Sequence, residues 1–214
     1  MEIKVLENVL RVNEVLAKRN RDFFKKKNIY SINIMSSPGA GKTSLVVETL
    51  KRIKDEIKSA VIVGDYTGKI DAERIGKLEI PTLQLETASC HLDANMLSQA
   101  INNIDLTNIK LLFIENVGNL ICPAEYKLGV NKNVVILSTP EGSDKPLKYP
   151  LMFSIADVLI INKIDLLGSL DFDIEKVKST ILKLNPKIKI FTMSCKTGEG
   201  IDNWTNWIKS ELKM

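Results

Sequence analysis

The fold is decided by the stretch Ser36-Ser37-Pro38-Gly39-Ala40-Gly41-Lys42-Thr43. It follows the apolar run Ile32-Asn33-Ile34-Met35 and precedes a helical pattern from Leu45 to Ile57. A strand, a glycine-rich turn and a helix in this order aim backbone N–H groups and the positive end of the helix dipole at one point, which favours a phosphate. A glycine-rich turn without a ligand is the alternative, but Gly-Lys-Thr in this context indicates a nucleotide-binding loop.

The residues of this loop have separate predicted roles. Lys42 would reach the β- and γ-phosphates, and the hydroxyl of Thr43 would bind Mg²⁺. Ser36 stands where the motif usually has its first glycine, so the strict pattern is broken at one position. Since the rest of the motif is intact, we expect the nucleotide to contact Pro38, Gly39, Ala40, Gly41, Lys42, Thr43 and Ser44.

The composition is that of a globular protein with a substantial core. The chain has 214 residues, of which 44% are hydrophobic and 26% are charged. A net charge of +4 does not argue for nucleic acid, and no apolar run approaches the length of a membrane span. The start, Met1-Glu2-Ile3-Lys4, lacks a signal-peptide core. We therefore expect a cytoplasmic protein without a nucleic-acid or membrane partner.

A helix is predicted over residues 2–27. Apolar residues recur there at roughly helical spacing, namely Val5, Val9, Val12, Leu16 and Phe23. The end of this helix, Lys18 to Lys27, holds six basic residues. We interpret them as a solvated helix end, where cations suit the negative end of the dipole, rather than as a nucleic-acid site. Packing of the segment against a partner remains open.

Strand and helix patterns alternate after the phosphate loop. The predicted strands are continuous apolar runs, at Ser59–Gly64, Pro81–Leu85, Lys110–Glu115, Asn133–Ser138, Asp157–Ile161 and Lys187–Met193. Helical patterns fall around 71–77, 92–104, 144–154, 173–184 and 200–212. This alternation predicts an α/β fold, a three-layer P-loop NTPase sandwich with a mostly parallel sheet.

One predicted strand ends in an acid that bears on magnesium. Glu115 closes the run Leu111-Leu112-Phe113-Ile114, and Gly118 follows three residues later. In P-loop proteins an acid at this point lies beside Mg²⁺, and the glycine N–H approaches the γ-phosphate. The acid is more often Asp, and a strand that ends in Glu is weak evidence without the phosphate loop.

A second loop predicts the base. Asn162-Lys163-Ile164-Asp165 follows a buried strand, and the carboxylate of Asp165 can accept both the N1–H and the exocyclic amine of guanine. Adenine offers no such donor pair. The aliphatic part of Lys163 could lie along the base, and Ser194-Cys195-Lys196 would close over it. The alternative is a plain turn after a strand.

The phosphate loop and the base loop together predict a GTPase domain at 29–214, preceded by a helical extension at 1–28.

Two further acids are candidates for the catalytic site. Asp65 ends the second predicted strand, and Asp71 begins the next helix. The polar loop between them, Tyr66 to Ile70, lies where a switch segment could meet Mg²⁺ or the attacking water. For Asp71 alone, helix capping is an equal alternative. The predicted catalytic and magnesium-binding residues are thus Lys42, Thr43, Asp65, Asp71 and Glu115.

Cysteine and histidine mark a possible transition-metal site. His91, the single histidine, adjoins Cys90, and Cys122 lies four residues beyond Gly118. Thiolate and imidazole suit Zn²⁺ or Ni²⁺. The alternative is packed cysteines and a histidine at a helix start. Three ligands leave a four-coordinate site incomplete, which hints at water, a partner or a second copy.

Four segments of the chain form a recognisable set. They are the phosphate loop, Cys90-His91-Leu92-Asp93-Ala94, the stretch Ile114 to Pro123, and Asp144-Lys145-Pro146-Leu147-Lys148-Tyr149-Pro150. Together they resemble the HypB family, the nickel-incorporation GTPases of [NiFe]-hydrogenase maturation. The resemblance runs from about residue 30 to the C-terminus. Urease-type nickel-insertion GTPases have a similar fold but carry a Cys-Pro-His metal motif, which is absent here.

The resemblance implies a homodimer with nucleotide sites near the interface and a Zn²⁺ or Ni²⁺ site at Cys90, His91 and Cys122. Its implied partners are GTP and GDP, another hydrogenase-maturation metallochaperone and the hydrogenase large-subunit precursor. We also expect Lys148 to approach the partner's nucleotide, with a solvated surface loop as the alternative. The cysteine-rich or histidine-rich N-terminal segments of some members are not found here, so nickel storage is not expected.

One segment departs from the family pattern. The family usually has Asn-Thr-Gly-Lys at the position of Leu85-Glu86-Thr87-Ala88-Ser89, so this segment lacks the family's glycine and lysine. The leading hypothesis is a GTP-hydrolysing metallochaperone for nickel. We expect slow GTP hydrolysis, because no glutamine or arginine stands out as a catalytic finger. The alternatives are a urease-type nickel-insertion GTPase and a regulatory GTPase switch with a structural metal. A P-loop kinase is disfavoured by the guanine-reading loop.

Overall fold

The computed structural model describes residues 4–66, 68 and 70–213, with side chains from residue 10 onward. Within these residues, seven strands form one parallel sheet in the order β3-β2-β4-β1-β5-β6-β7. They are β1 Tyr30–Ser36, β2 Ser59–Asp65, β3 Thr82–Glu86, β4 Leu111–Glu115, β5 Lys132–Ser138, β6 Val158–Asn162 and β7 Lys189–Thr192. The α/β prediction is confirmed, and each predicted strand has a counterpart.

Helices cover both faces of the sheet. They are α1 Lys4–Lys27, α2 Lys42–Ile53, α3 Ile70–Gly76, α4 Ala94–Asn103, α5 Cys122–Glu125, α6 Lys145–Lys148, α7 Pro150–Ser154, α8 Ile174–Leu184 and α9 Ile201–Glu211. Short 3₁₀ turns lie at Thr139–Glu141 and Ile164–Ser169. Among the described residues, no helix is both long enough and apolar enough to cross a membrane.

Alternation along the strands divides the core into two sides. Val134 and Ile136 of β5 pack with α2 and α9, whereas Val135 and Leu137 pack with α7 and α8. A third cluster joins α1 and α4 to the same side of the sheet as α7 and α8, through Phe24 among others. A strand that is covered on both faces buries the side chains on each face, so its sequence is a continuous apolar run.

The predicted apolar stripe of α1 is partly wrong. Val12 is 59% exposed, and the buried positions of the helix include Asn13 and Asn20. Asn13 donates to the carbonyl of Lys127 and accepts from the N–H of Ala94, and Asn20 donates to carbonyls of the same two segments. These hydrogen bonds satisfy the buried amides, so a polar residue occupies the inner face. Residues 2 and 3 of the predicted helix, and the side chains of Val5 and Val9, lie outside the described part.

The helical stretch predicted around 144–154 is confirmed, but it is divided into two helices. The chain forms α6 and α7, separated at Tyr149, whose φ of −126° and ψ of 54° are not helical. Pro150 follows it as the first residue of α7. Proline has no N–H and disfavours helical geometry in the residue before it, so the helix is interrupted there.

Parallel strands place their carboxyl ends at one edge of the sheet. Ser36, Asp65, Glu115 and Asn162 each end a strand there. Segments that are far apart in sequence therefore meet at this edge, and the candidate site is built on it.

Candidate functional site

The phosphate loop has the geometry that its sequence predicts. Gly39 and Gly41 take φ values of 74° and 107°, which side chains other than glycine rarely adopt. A Cβ on Gly41 would lie 2.5 Å from Nδ2 of Asn162, so this position also has no room for one. The loop opens directly into α2, whose first residues are Lys42 and Thr43. Its backbone N–H groups and the helix dipole can therefore receive phosphates.

Thr43 and Glu115 meet beneath this loop. The Thr43 hydroxyl donates to Oε1 of Glu115 at 2.8 Å, and Glu115 is 3% exposed. Its Oε2 is buried and has no hydrogen-bond partner among the described residues. Burial raises the pKa of Glu115 to about 7, although the charge of Lys42 opposes the rise. An unpartnered buried carboxylate oxygen beside a threonine hydroxyl is a donor set that suits Mg²⁺.

Asp65 and Asp71 lie near enough to Glu115 to raise its pKa further. Asp65 ends β2, and its Oδ1 accepts from the N–H of Tyr66. Asp71 is the second residue of α3, within the helix rather than at its cap, and lies 3.5 Å from Arg74. Within the loop between them, residues 67 and 69 lie outside the described part. Both acids therefore belong to the same electrostatic environment as Glu115.

The predicted base loop lies against the phosphate loop. Asn162 donates to the carbonyl of Ala40 at 2.9 Å, and Nζ of Lys163 donates to the carbonyl of Gly39 at 2.7 Å. Lys163 has a φ of 64°, and the hydroxyl of Thr139 holds its carbonyl. These bonds fix the base loop to the phosphate loop.

The third predicted nucleotide-binding segment, Ser194-Cys195-Lys196, closes the other side of the nucleotide cavity. Oγ of Ser194 donates to Asp165 at 2.6 Å, and the N–H of Cys195 donates to Asn162 at 3.2 Å. Burial raises the pKa of Cys195 to about 12, so its thiol stays neutral. A cavity of about 260 Å³ results, lined by Gly41, Ser44, Asn162, Lys163, Asp165, Leu166, Cys195 and Lys196. Leu166 was not predicted, because an apolar residue after Asp165 carries no distinct signal.

Gly118 contacts the phosphate loop. A Cβ at this position would lie 3.0–3.1 Å from atoms of Pro38, including its backbone. The close approach requires a very small residue and brings the segment after β4 against the phosphate loop. Cys122 lies four residues further on, at the start of α5.

Cys90, His91 and Cys122 come together, with ligand atoms all within 4.8 Å of one another. The Cys90 thiol donates to Sγ of Cys122 at 2.7 Å, and both cysteines are free. The hydrogen bond with Cys90 and burial raise the pKa of Cys122, and burial lowers the pKa of His91. Two sulfur atoms and a neutral imidazole suit Zn²⁺ or Ni²⁺ better than Mg²⁺.

Two neighbours of this cluster were missed. The ring of Tyr126 stacks on His91 with centroids 3.9 Å apart, and Oγ of Ser89 lies 3.0 Å from Nδ1 of His91. Ser89 belongs to the segment that departs from the family pattern. The departure therefore places a hydroxyl beside the imidazole, and it leaves the three candidate ligands together.

Lys148 lies apart from the cavity within this chain. It pairs with Asp144, the N-cap residue of α6, and its side chain is 62% exposed. Leu147 and Leu151 beside it are 64% and 49% exposed. Lys148 is not among the residues that line the nucleotide cavity of its own chain.

Comparison with known proteins gives a consistent result. The family model described as "CobW/HypB/UreG, nucleotide-binding domain" matches residues 30–192. The chain is 45% identical to the hydrogenase maturation factor HypB of Escherichia coli K12 over 99% of its own length and 72% of that protein.

Two solved structures have the same fold over nearly the whole chain. The crystal structure of the hydrogenase maturation factor HypB from Archaeoglobus fulgidus superposes with a TM-score of 0.89 at 38% identity, covering 94% of this chain and 99% of that one. The HypB structure from Helicobacter pylori in complex with nickel gives 0.88 at 38% identity, covering 94% and 95%.

Proposed function

Because this chain belongs to the HypB branch of the CobW/HypB/UreG nucleotide-binding family, we propose that it hydrolyses GTP and delivers Ni²⁺ for insertion into [NiFe]-hydrogenase. The observation that carries the proposal is the position of Cys90, His91 and Cys122 at the same sheet edge as the nucleotide cavity. The segment from Glu115 to Cys122 leads from a magnesium-binding candidate to the cluster, and its Gly118 packs on Pro38 of the phosphate loop.

The phosphate site supports hydrolysis. Lys42 and the N–H groups of the loop stabilise negative charge on the phosphates, and these groups are already in place before the reaction. Thr43, Asp65, Asp71 and Glu115 would hold Mg²⁺, which neutralises phosphate charge when bound. Oε2 of Glu115, which has no hydrogen-bond partner in the described part of the chain, supports this assignment. We expect slow intrinsic turnover.

The base site supports a preference for guanine. Asp165 is held by Ser194, and Asn162 joins the base loop to both the phosphate loop and Cys195. A carboxylate in this position accepts two hydrogen bonds from guanine and would stay unpaired beside adenine. Specificity for GTP and GDP follows from that difference.

The Cys/His cluster would hold the cargo metal. Three ligands from one chain leave room for water, a partner or a second copy in a four-coordinate site. The Helicobacter pylori relative was crystallised with nickel, which favours Ni²⁺, while Zn²⁺ remains the competing ion.

We also propose a homodimer in which Lys148 approaches the partner's nucleotide, with a second metallochaperone and the hydrogenase large-subunit precursor as further partners. The exposed Leu147 and Leu151 support such an interface. Residues 1–28 would be a helical extension of a GTPase domain at 29–214, since the family model begins at residue 30. The proposed location is the cytoplasm.

The proposal is tested by base preference and hydrolysis together. The purified chain should release phosphate from GTP and leave ATP intact. Asp165→Asn should weaken GTP binding about 100-fold and shift preference to xanthosine triphosphate, because the amide cannot accept both guanine donors. Asp202→Asn, an exposed acid on α9, is the control. Unchanged GTP affinity in the Asp165 variant would rule out the base assignment.

A further inference from the structure

Arg74 contacts the helix that carries the phosphate loop. Its Nη2 donates to Oγ of Ser44 at 3.3 Å, across the gap between α3 and α2. Ser44 follows Thr43 and lines the nucleotide cavity. A second cavity of about 380 Å³ adjoins the first, shares Ser44 and Cys195 with it, and is lined by Arg74 and Lys77. The guanidinium therefore lies next to the nucleotide cavity.

The bonds that hold this guanidinium are weak. Ser44 is a neutral acceptor, and Asp71 lies 3.5 Å away in an exposed pair on the same helix. Such pairs contribute little to stability. Arg52 on α2 differs, since it bonds Glu48 at 3.0 Å and Asp202 at 3.1 Å. Arg74 is thus free to exchange its partners for a stronger anionic acceptor.

We propose that Arg74 binds the α-phosphate of the nucleotide. The inference rests on the proposed binding of GTP and GDP. In a phosphate loop of this type Lys42 serves the β- and γ-phosphates, and the backbone N–H groups cradle the α- and β-phosphates. Ser44 follows Thr43 on the first turn of α2, so a group bonded to Oγ of Ser44 approaches the phosphate chain from the α-phosphate end. A guanidinium there gains a charge-assisted hydrogen bond.

The assignment has a distinct kinetic consequence. The α-phosphate is present in both GTP and GDP and takes no part in the bond that hydrolysis breaks. Arg74 therefore stabilises the bound substrate and the transition state equally. Its loss should weaken binding of both nucleotides by the same factor and leave kcat unchanged.

The test compares Arg74→Ala with Lys77→Ala, which removes an equal charge from the same cavity without contacting Ser44. Affinity for GDP and for a non-hydrolysable GTP analogue is measured by titration, and kcat is measured from phosphate release. Arg74→Ala should weaken both affinities about tenfold, the low end for a hydrogen bond to a charged group. Lys77→Ala should change them less than twofold. Arg74 is 46% exposed, so the variant should fold, and its circular dichroism checks this.

Other results would overturn the assignment. A loss confined to the GTP analogue would place the guanidinium at the γ-phosphate, and a lower kcat with unchanged affinity would make it a transition-state group. Equal losses of nucleotide affinity in both variants would show that only the positive charge of the cavity matters, and not a contact made by Arg74. Unchanged nucleotide affinity in Arg74→Ala would show that Arg74 does not bind the α-phosphate. Failure of the unmutated chain to bind either nucleotide would instead contradict the proposed function.

Discussion

The backbone N–H of Leu92 donates to Oδ1 of Asn116 at 3.0 Å, so a single buried amide joins the residue after His91 to the residue after Glu115. Nδ2 of Asn116 also donates to Asn33 on β1 at 3.1 Å. Asn116 is completely buried. One buried side chain therefore joins the segment of the Cys/His cluster to the strand end that carries Glu115.

We expect Asn116→Ala to lower the free energy of unfolding by about 3 kcal/mol. The substitution leaves the N–H groups of Leu92 and Val117 and the side-chain oxygen of Asn33 without their partner, and each buried unsatisfied group costs about 1–3 kcal/mol. Urea unfolding measures the loss. Asn133→Ala, which removes one hydrogen bond to Asn33, should cost about 1 kcal/mol. Equal losses in the two variants would contradict the central position of Asn116.

The sheet was predictable because its five inner strands are mostly buried on both faces and the apolar run of each strand is local in the sequence. The hydrogen bond from the N–H of Leu92 to Asn116 was not predictable, because the two residues lie 24 positions apart in the sequence. The contact between Arg74 and Ser44 joins two helices whose sequence patterns carry no sign of each other. The buried Asn13 of α1 was missed because periodicity counts apolar residues, whereas this amide is buried through its hydrogen bonds.

Because the pKa of Glu115 is raised, we expect the free energy of unfolding to depend on pH in the protein without Mg²⁺ or nucleotide. Its pKa is about 7 in the folded chain, raised by burial from an ordinary value of 4.5. Between these values the folded state binds more protons than the unfolded state, so stability falls as the pH rises. The loss should reach about 3 kcal/mol by pH 8, because each tenfold difference in proton affinity between the two states is worth about 1.4 kcal/mol.

Glu115→Gln checks this directly. The amide cannot ionise, so the variant should lack this component of the pH dependence and gain stability relative to the unmutated chain between pH 5 and pH 8. Urea unfolding at both pH values measures the difference. A stability difference between the two proteins that is the same at pH 5 and pH 8 would show that Glu115 ionises at its ordinary pKa.

Lys148 should act between two copies of the chain. We expect a dimer in sedimentation with a non-hydrolysable GTP analogue and weaker association with GDP. Lys148→Ala should weaken the dimer about tenfold, because the lysine charge would face the partner's nucleotide. Lys178→Ala, which removes a lysine paired to Glu175 on α8, is the matched control. A monomer with either nucleotide at high protein concentration would end the dimer proposal.

The metal prediction names its ligands. Cys90→Ala and Cys122→Ala should each abolish tight Ni²⁺ binding, because the remaining two ligands cannot hold the ion. Cys195→Ala should leave binding intact, since Cys195 lines the nucleotide cavity instead. Binding that survives the first two substitutions and fails with the third would show that the wrong cysteines were chosen.

The central claim is that this chain uses GTP to deliver nickel, so we expect nucleotide state to change its affinity for nickel. Titration of Ni²⁺ into the protein loaded with GDP or with a non-hydrolysable GTP analogue tests this most directly. Gly118 packs on the phosphate loop and Cys122 follows four residues later, so a γ-phosphate can shift a ligand through this segment. Couplings of this kind are about 1–3 kcal/mol, so the two dissociation constants should differ roughly 5–150-fold. Equal dissociation constants in the two states would contradict the account.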